Sequence, residues 1–526
     1  MRTLSRYRLV LILILGAVFA VLLLNEHLVP AGDNATYLVL GQALSTGQGY
    51  RVISDPRQPA MALYPPGYPA VLAGLLAVTG KVHHLPGAIL PVKVLSIAFF
   101  LASIILAYDL YRKKDARLAA VVALLMAVNP SLLHFANEVG TESAYTFLAL
   151  FCLWLFDRLV RRPSTRLLLG TAAALVAAFY VRSIALVLLV ALVGHLVVTR
   201  RTKLAVVLVV VMVVMVVPWF VYASSVPDTG TSVGLGRGYF SLYFSSDPYG
   251  TEKASLQDWL VRIRQNVRAY CLEIWPDVLF PHASRVAKAL GAFGTPFLAA
   301  IFALVAIGFI LEARQGDGRE LYAALFFGSC VGYLWPQSRL IVPIVPFAIS
   351  YSVTGTAAFA RALEKRQPRL ARAVSPLICF TLALSAVVAG GRSIISNLEH
   401  GLSQPPDVFY GQDPEWNNYW QAIRWIDSQL ERSTVVMCRK ADLLYVYTAL
   451  QALEYPYDAD GERLKRTVQD NGVDFLIEDA FTWTRTTVQY LVPALQDWRT
   501  QQPEALVLVH ETGAPRTRVW RVAHVN

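Results

Sequence analysis

The stretch 204–222 reads LAVVLVVVMVVMVVPWFVY and contains no charged side chain. A helix of this length crosses a hydrocarbon core about 30 Å thick. Further apolar blocks of similar character recur along the chain, at 9–24, 88–108, 118–133, 143–157, 167–181, 184–199, 291–311, 321–336, 341–360 and 373–391. We therefore expect a polytopic α-helical membrane protein with about eleven transmembrane helices.

The composition agrees with a membrane protein. Of 526 residues, 55% are hydrophobic and only 16% are charged, whereas charged residues make up about 25% of a soluble domain. The net charge of +11 comes from short basic clusters between the apolar blocks, so it indicates membrane topology and not a nucleic-acid partner. The five cysteines lack CxxC spacing, so they predict neither a zinc site nor a disulfide framework.

The basic clusters set the expected orientation. With the N-terminus in the cytoplasm, nearly all short-loop Lys and Arg residues fall inside, at 112–117, 158–166, 200–203, 312–320 and 361–372. The first apolar block could be read as a signal peptide, but its run is long for a signal core, and we expect an uncleaved anchor. The chain is then a multi-pass protein of the plasma (inner) membrane.

The same topology divides the chain into two predicted domains. Residues 1–391 form the transmembrane domain, with long outward loops at 25–87 and 223–290. Residues 392–526 have the composition of a soluble domain, and we expect a small extracytoplasmic α/β domain there. Its predicted helices are a segment around Trp416–Ile426, Asp442–Leu453 and Thr486–Trp498, and its predicted strands are Thr434–Cys438, Val473–Ile477, Ala505–Val509 and Arg518–Val522.

The first outward loop carries an aspartate, Asp33, soon after the first span. Apolar residues at helical spacing follow it, so Asp33 precedes a short amphipathic helix at the mouth of the membrane domain. A helix N-cap is one explanation of this aspartate, and a chemical role is the other. A G-x-G-Y turn at 47–50 and the segment Pro65-Pro66-Gly67-Tyr68-Pro69 complete the loop.

This arrangement resembles the GT-C glycosyltransferases, and among them the protein O-mannosyltransferases and the transferase that adds aminoarabinose to lipid A. Weaker similarity continues to about residue 391, at Asn137–Glu142, Tyr180–Arg182 and Ser338–Pro346. The chain departs from the pattern at Glu142, where many relatives have aspartate, and at Lys93, where arginine is common. The resemblance implies a GT-C-like membrane fold and leaves the subfamily open.

The resemblance also implies an activity: transfer of a sugar from a polyprenyl-phosphate donor to an extracytoplasmic glycan, lipid or protein, with inversion. Asp33 is the expected general base. Arg182 and Arg339, at outward span ends, are expected to contact the donor phosphate. Snorkelling of both arginines to the lipid headgroups is the alternative. Such a reaction requires no cofactor, although it leaves room for a divalent metal ion.

The remaining candidates have weaker signals. Glu138 and Glu142 are four residues apart, so they would share a helix face and orient the sugar or acceptor, bind a cation, or pair with Arg182. Tyr37 and Tyr64 are further sugar or acceptor contacts. Arg237 lies in a glycine-rich stretch that could hold phosphate or simply be mobile.

Two other functions compete with the enzyme. A transporter or flippase for a lipid-linked glycan would place ionisable residues near mid-span and often shows repeated halves, whereas the acidic candidates here lie at the outward span ends. A non-catalytic scaffold would not need so much charge there. The expected partners are the lipid-linked donor, the acceptor and membrane lipids, with no nucleic acid.

Overall fold

The structure is a computed structural model that describes residues 2–227, 241–246, 253–316, 318–364, 366–402, 412–483 and 485–523. These residues form two compact units that alternate along the chain. The first unit comprises Met1–Leu24, Lys93–Trp219 and Phe240–Leu398, and the second comprises Asn25–Val92, Phe220–Tyr239 and Glu399–Asn526. The division into domains at residue 391, expected from composition, stays a prediction.

Helices account for most of the chain up to residue 400. They are α1 (Arg2–Leu22), α2 (Asn34–Ser45), α3 (Gly67–Thr79), α4 (Ile89–Arg112), α5 (Ala116–Val128), α6 (Pro130–Ala136), α7 (Thr141–Arg161), α8 (Thr165–Val181), α9 (Ala185–Val198), α10 (Thr202–Ser225), α11 (Ser241–Phe244), α12 (Leu256–Ala269), α13 (Trp275–Leu279), α14 (Ala283–Ala289), α15 (Gly294–Ala313), α16 (Gly318–Gly332), α17 (Ser338–Ile341), α18 (Val345–Glu364) and α19 (Pro368–Ser396).

Six helical segments in the described part of the chain are long and apolar enough to cross a membrane: Pro86–Arg112, Thr141–Arg161, Thr202–Ser225, Gly291–Ala313, Ser338–Glu364 and Pro368–Gly401. A bent pair of helices would make a seventh. Shorter apolar helices occupy several other predicted blocks, at Tyr7–Leu22, Thr165–Val181 and Ala185–Val198. The chain is a multi-pass membrane protein, and the count of eleven spans stays a prediction.

The bent pair lies within the predicted block 118–133, which is not one straight helix. Helices α5 and α6 meet at an angle of 59°. Pro130 opens α6 and lacks the N–H that would continue the hydrogen bonds of α5. The Asn129 side chain accepts a hydrogen bond from the backbone N–H of Leu132 at 3.0 Å, so it caps the new helix.

Helices α15 and α18 of the first unit pack through glycine. Gly308 faces the backbone carbonyl of Tyr351, and Gly355 faces that of Leu304, each too closely for a Cβ atom to fit. Small residues at such crossings let helix backbones approach, a common way to pack helices where lipid removes the hydrophobic driving force. Alanine at either position would force α15 and α18 apart.

The second unit contains a five-stranded mixed sheet. Its elements are α20 (Pro414–Gln429), β1 (Val435–Met437), α21 (Ala441–Thr448), β2 (Gln451–Leu453), α22 (Gly461–Asp470), β3 (Phe475–Glu478), α23 (Val492–Gln501), β4 (Leu506–Glu511) and β5 (Arg518–Val522). The strand order is β2-β1-β3-β5-β4. Strand β1 runs parallel to both β2 and β3, whereas β5 is antiparallel to both β3 and β4.

Apolar side chains of α22 and α23 bury one face of this sheet. Leu464, Val468, Leu495 and Trp498 pack with strand residues that include Trp520. Strands β1, β3, β4 and β5 lie at or near their predicted positions. These strands could be predicted because short apolar or alternating runs are typical of strands. Helix α20 likewise matches its predicted spacing.

The predicted helix Asp442–Leu453 was wrong in its second half. Helix α21 ends at Thr448, and Ala449 adopts a left-handed conformation with φ of 56°. The chain then enters β2, where Ala452 pairs with Val436 of β1. A non-glycine residue in this conformation gives no sequence signal for the turn, because alanine favours a helix.

Candidate functional site

Asp33 occupies the N-cap position of α2, but its carboxylate makes no capping hydrogen bond. Its backbone has φ of −107° and ψ of 12°, outside the extended region typical of capping residues. Gly32 before it has φ of 77°, which turns the chain into the helix. The structure therefore gives no support to the capping explanation of Asp33.

Lys440, immediately before α21, is the cation associated with this aspartate. Its Nζ donates a hydrogen bond to the Gly32 carbonyl at 3.0 Å. Burial and the neighbouring charge of Arg439 lower the pKa of Lys440 from 10.5 to about 8, against the opposing effect of the Asp33 carboxylate. The candidate base and an ammonium group therefore lie within electrostatic range of each other.

Asp442 binds the segment that carries Lys440 to two residues early in the chain, Thr36 and Ser54. Its carboxylate accepts hydrogen bonds from the hydroxyl groups of Thr36 at 2.5 Å and Ser54 at 2.6 Å. The backbone N–H of Ala452 also donates to the Ser54 carbonyl at 2.7 Å. Burial raises the pKa of Asp442, and the two hydroxyl groups oppose that rise. We call Asp33, Thr36, Ser54, Lys440 and Asp442 the aspartate cluster.

Tyr37 and Tyr64, expected to contact a sugar or acceptor, lie together in the second unit. Their ring centroids are 5.2 Å apart, and Tyr37 also packs edge-on against Tyr68 at 5.2 Å. Tyr37 is only 5% exposed. The Tyr37 ring therefore packs α2 against α3. The Tyr64 side chain is more accessible to solvent than that of Tyr37.

In the first unit, Arg182 and Arg339 meet on one carboxylate. Arg182 Nη1 lies 2.9 Å and Arg339 Nε 3.3 Å from the same oxygen, Oε1 of Glu142. The Glu142 side chain is 4% exposed, that of Arg182 12% and that of Arg339 24%. The pairing of Glu142 with Arg182, one of the predicted alternatives, is therefore present. We call these three residues the arginine cluster, whose formal charge is +1.

Glu138 lies apart from that cluster, which corrects the expectation that Glu138 and Glu142 share a helix face. Helix α6 ends at Ala136 and α7 begins at Thr141, so Glu138 lies in the turn between them. Its carboxylate is 2.7 Å from Nε2 of His134.

Lys93, a position noted in the sequence, is only 2% exposed and exerts an electrostatic effect on His134. The Ser96 hydroxyl donates to the Glu138 backbone carbonyl at 3.1 Å. Glu138 therefore belongs to a second polar group of the first unit, with His134 and Lys93.

Two expectations remain open. Arg237 and the glycine-rich stretch around it lie outside the described residues, so their role stays a prediction. Within the described ranges, no group of three or more His, Cys, Asp or Glu side chains is arranged to hold a metal ion.

Sequence reasoning missed Lys440 and Asp442, because their importance comes from partners about 400 residues earlier in the chain. A basic and an acidic residue beside a short helix are common on any surface. Local spacing therefore gave no signal for them.

Comparison with known proteins identifies a related family and fold. The family described as dolichyl-phosphate-mannose-protein mannosyltransferase matches residues 64–222. No curated protein matches the chain by sequence.

Solved structures match over almost the whole chain. ArnT from Cupriavidus metallidurans in the apo state is 15% identical with a TM-score of 0.56, over 97% of both chains. Its complex with undecaprenyl phosphate is 14% identical with a TM-score of 0.54, over 98% of both. The archaeal oligosaccharyltransferase AglB from Archaeoglobus fulgidus, in complex with an inhibitory peptide and a dolichol-phosphate, is 10% identical with a TM-score of 0.57, over 99% of this chain and 74% of that one. The resemblance expected from the sequence is confirmed: this chain has the fold of the GT-C glycosyltransferases.

Proposed function

We propose that this protein is a glycosyltransferase that moves a sugar from a polyprenyl-phosphate donor to an extracytoplasmic acceptor. The observation that carries the proposal is the arginine cluster. Two guanidinium groups, those of Arg182 and Arg339, converge on one nearly buried carboxylate in a poorly hydrated place. Paired guanidinium groups suit a phosphate, because their N–H groups match its oxygen atoms and their charge stabilises it as a leaving group.

The donor class has support from the solved structures with this fold. One of them binds undecaprenyl phosphate and another binds a dolichol-phosphate. Both ligands join a phosphate to a long apolar chain, so both suit a membrane protein with a cationic group. We assign the donor phosphate to Arg182 and Arg339, with Glu142 fixing the two guanidinium groups. Arg237 remains a further candidate.

The reaction forms one bond and breaks another. The acceptor oxygen or nitrogen attacks the anomeric carbon while the bond from that carbon to the phosphate oxygen breaks. Asp33 takes the proton of the acceptor, and the polyprenyl phosphate departs with its electron pair, stabilised by the guanidinium charges. Attack opposite to the leaving group inverts the anomeric configuration. We propose that Glu138 and Tyr64 contribute to binding of the sugar or acceptor.

The cellular setting follows from the expected topology. We propose that the protein resides in the plasma (inner) membrane, and that the reaction takes place on the periplasmic or exterior side. The lipid tail of the donor then remains in the bilayer while its sugar reaches the outward surface. No step of the proposed reaction uses a metal ion.

Replacement of Asp33 by asparagine tests the assignment of the base. Asparagine keeps the size of the side chain but cannot accept the acceptor proton, so we expect turnover to fall by roughly 10²-fold or more. Undecaprenyl phosphate should still bind, because the arginine cluster is unchanged. The measurement is sugar transfer from a polyprenyl-phosphate donor by purified protein, together with the melting temperature.

Asp115 provides a matched control. It is the N-cap of α5, and unlike Asp33 its carboxylate does cap the helix, accepting from the Arg117 backbone N–H at 2.7 Å. Asparagine caps a helix about as well as aspartate, so Asp115→Asn should change neither turnover nor stability. Near-normal transfer by Asp33→Asn would refute its role as base and direct attention to Glu142.

A further inference from the structure

Helix α12 (Leu256–Ala269) of the first unit turns a polar side toward the protein. Arg262 and Asn266, four residues apart, are both buried. The guanidinium group of Arg262 donates hydrogen bonds to the backbone carbonyls of Tyr243 at 2.8 Å and Ser245 at 2.6 Å. A helix on the surface of a soluble domain normally buries its apolar side instead. The inward side of α12 is therefore held by hydrogen bonds to backbone groups.

The side-chain amide of Asn266 makes the second anchor. Its Nδ2 donates to the carbonyls of Val331 at 2.9 Å and Tyr333 at 2.7 Å. Helix α16 ends at Gly332, and the last carbonyls of a helix lack partners within it. Asn266 thus binds carbonyls at the end of α16, which fixes the position and rotation of α12 there.

Contacts after α12 place it at the level of a membrane boundary. The Tyr270 hydroxyl, directly after the helix, accepts a hydrogen bond from the Gln337 backbone N–H at 3.3 Å. Gln337 immediately precedes Ser338–Glu364, which is long and apolar enough to cross a membrane. Tyr333 and Trp335 lie just before it, with ring centroids 5.8 Å apart, and such residues are enriched where spans meet lipid headgroups. Helix α12 therefore lies near the beginning of this span.

The outward side of α12 carries an apolar stripe, formed by Leu256, Leu260, Ile263 and Val267. These side chains recur every three or four residues, so they share one side of the helix. All four are exposed, Leu256 by 78% and Leu260 by 61%. A continuous apolar stripe in water forgoes the free energy of burial, and such surfaces typically contact a partner or a membrane. At the level of a span end, lipid acyl chains can bury it.

The charged residues of α12 favour an anionic lipid surface. The helix contains three arginines and one aspartate. Arg262 faces inward, and the Asp258 carboxylate accepts hydrogen bonds from Ser255 at the first turn, from its N–H at 2.8 Å and its hydroxyl at 2.7 Å. Arg264 and Arg268 are exposed. An apolar side accompanied by exposed arginines is typical of helices that lie in the interface of an anionic bilayer.

We propose that α12 lies in the membrane interface and binds anionic phospholipids of the bilayer. The apolar stripe inserts among the acyl chains, and Arg264 and Arg268 bind the phosphate groups. The hydrogen bonds of Arg262 and Asn266 keep the stripe turned outward. This inference does not depend on the proposed sugar transfer, because it assigns a lipid-binding surface and no step of the reaction.

The test is photo-crosslinking of the full-length protein in nanodiscs that contain phosphatidylglycerol and phosphatidylcholine in equal amounts and no polyprenyl phosphate. The crosslinker p-benzoylphenylalanine replaces either Ile263 or Gln265. Both residues are exposed, but two positions along a helix differ by about 200°, so Gln265 faces away from the apolar stripe. Intact mass spectrometry identifies the attached lipid. We expect about fivefold or more lipid attachment from position 263 than from position 265.

The identity of the lipid attached at position 263 tests the arginines. A basic residue near an anionic surface contributes about 1 kcal/mol, or about fivefold in binding. We therefore expect phosphatidylglycerol to exceed phosphatidylcholine by about fivefold or more. Arg264→Gln combined with Arg268→Gln should remove this preference while lipid attachment itself persists.

A matched control removes two positive charges from another helix. Arg463→Gln combined with Arg466→Gln changes two exposed arginines of α22, whose apolar residues Leu464 and Val468 are buried against the sheet. This helix offers no outward apolar stripe, so the preference for phosphatidylglycerol at position 263 should stay as in the wild type.

Three results would overturn the inference. Equal lipid attachment at positions 263 and 265 would show that the stripe does not enter the bilayer. Equal use of the two lipids at position 263 would remove the role of the arginines. Attachment of position 263 to another part of the chain, or to a second copy, would show that protein covers the stripe. If replacement of Ile263 lowers the melting temperature, position 260 on the same stripe repeats the comparison.

Discussion

Replacement of Arg182 by alanine tests whether the arginine cluster binds the donor phosphate. In the wild type, two positive charges and one negative charge give a formal charge of +1. The Arg182→Ala variant leaves Arg339 and Glu142, whose charges cancel. If the cluster binds the donor phosphate, this change should remove the long-range attraction for the lipid. If Arg182 only neutralises Glu142, the lipid should bind as before and the protein should be less stable.

The structure gives the size of the expected effect. A unit charge about 4 Å from a phosphate contributes about 4 kcal/mol at an effective dielectric constant of about 20. The Arg182 side chain is 12% exposed, so water weakens this interaction only in part. We expect the Kd for undecaprenyl phosphate to rise by roughly 10² to 10³-fold. Arg182→Lys keeps the charge and should stay within about tenfold of the wild type, although it loses the planar fork.

A double variant separates charge from local geometry. Arg182→Ala combined with Glu142→Gln restores the formal charge to +1, now carried by Arg339 alone. Because the attraction depends on this sum, the double variant should recover about tenfold or more of the lost affinity. The assay is binding of undecaprenyl phosphate to purified protein by native mass spectrometry. Melting temperatures identify variants that fail to fold.

The other end of α7 supplies a matched control. There Arg112 and Arg158 share Asp109, at 2.7 Å and 3.2 Å, in a more exposed setting on the predicted cytoplasmic side. Arg158→Ala removes one of two arginines from one carboxylate, as Arg182→Ala does, and should leave lipid affinity unchanged. Equal losses in the two variants, or a double variant no better than Arg182→Ala, would refute the charge argument.

Two further predictions concern topology and pH. A reporter fused after residue 392 should be active outside the cytoplasm and one in the loop 361–372 inside; reversed signals in reporter assays would contradict the proposed orientation. Burial raises the pKa of Asp479 from 3.8 to about 6, so the folded state binds more protons between these values and stability falls as pH rises through them. Asp479→Asn keeps the acceptor oxygen but cannot ionise, and should therefore melt above the wild type at pH 8, with a smaller advantage at pH 5. An equal difference at both pH values would contradict this explanation.

The sequence predicted the parts of the fold that depend on local patterns. Apolar length marked the long helices, and alternation marked β5 at Arg518–Val522, the same bounds that the structure has. Bends and ends of helices were harder to predict. The bend at Pro130 had a visible signal in the Asn-Pro pair, which the apolar count passed over. The end of α21 at Ala449 had none, since the left-handed turn of an alanine is imposed by the strand pairing that follows it.

The candidate site shows the same limit more clearly. Arg182 and Arg339 could be proposed as a pair because each stands alone at the end of an apolar block. Their shared partner Glu142 was one of several alternatives, since only the fold decides which carboxylate two arginines meet. Lys440 could not be linked to Asp33 at all. Their association depends on non-local contacts, which a single sequence does not contain.

The hydrogen bond between Ser54 and Asp442 joins positions 388 residues apart, and this separation bears on how the protein is made. The loop at 25–87 leaves the ribosome long before Asp442 and Ala452 are translated, so its partners arrive only after α19 has been synthesised. During that interval the loop is exposed to proteases and chaperones. A chain interrupted before residue 440 would carry Asp33 without Lys440, so the aspartate cluster can form only after synthesis has passed this point.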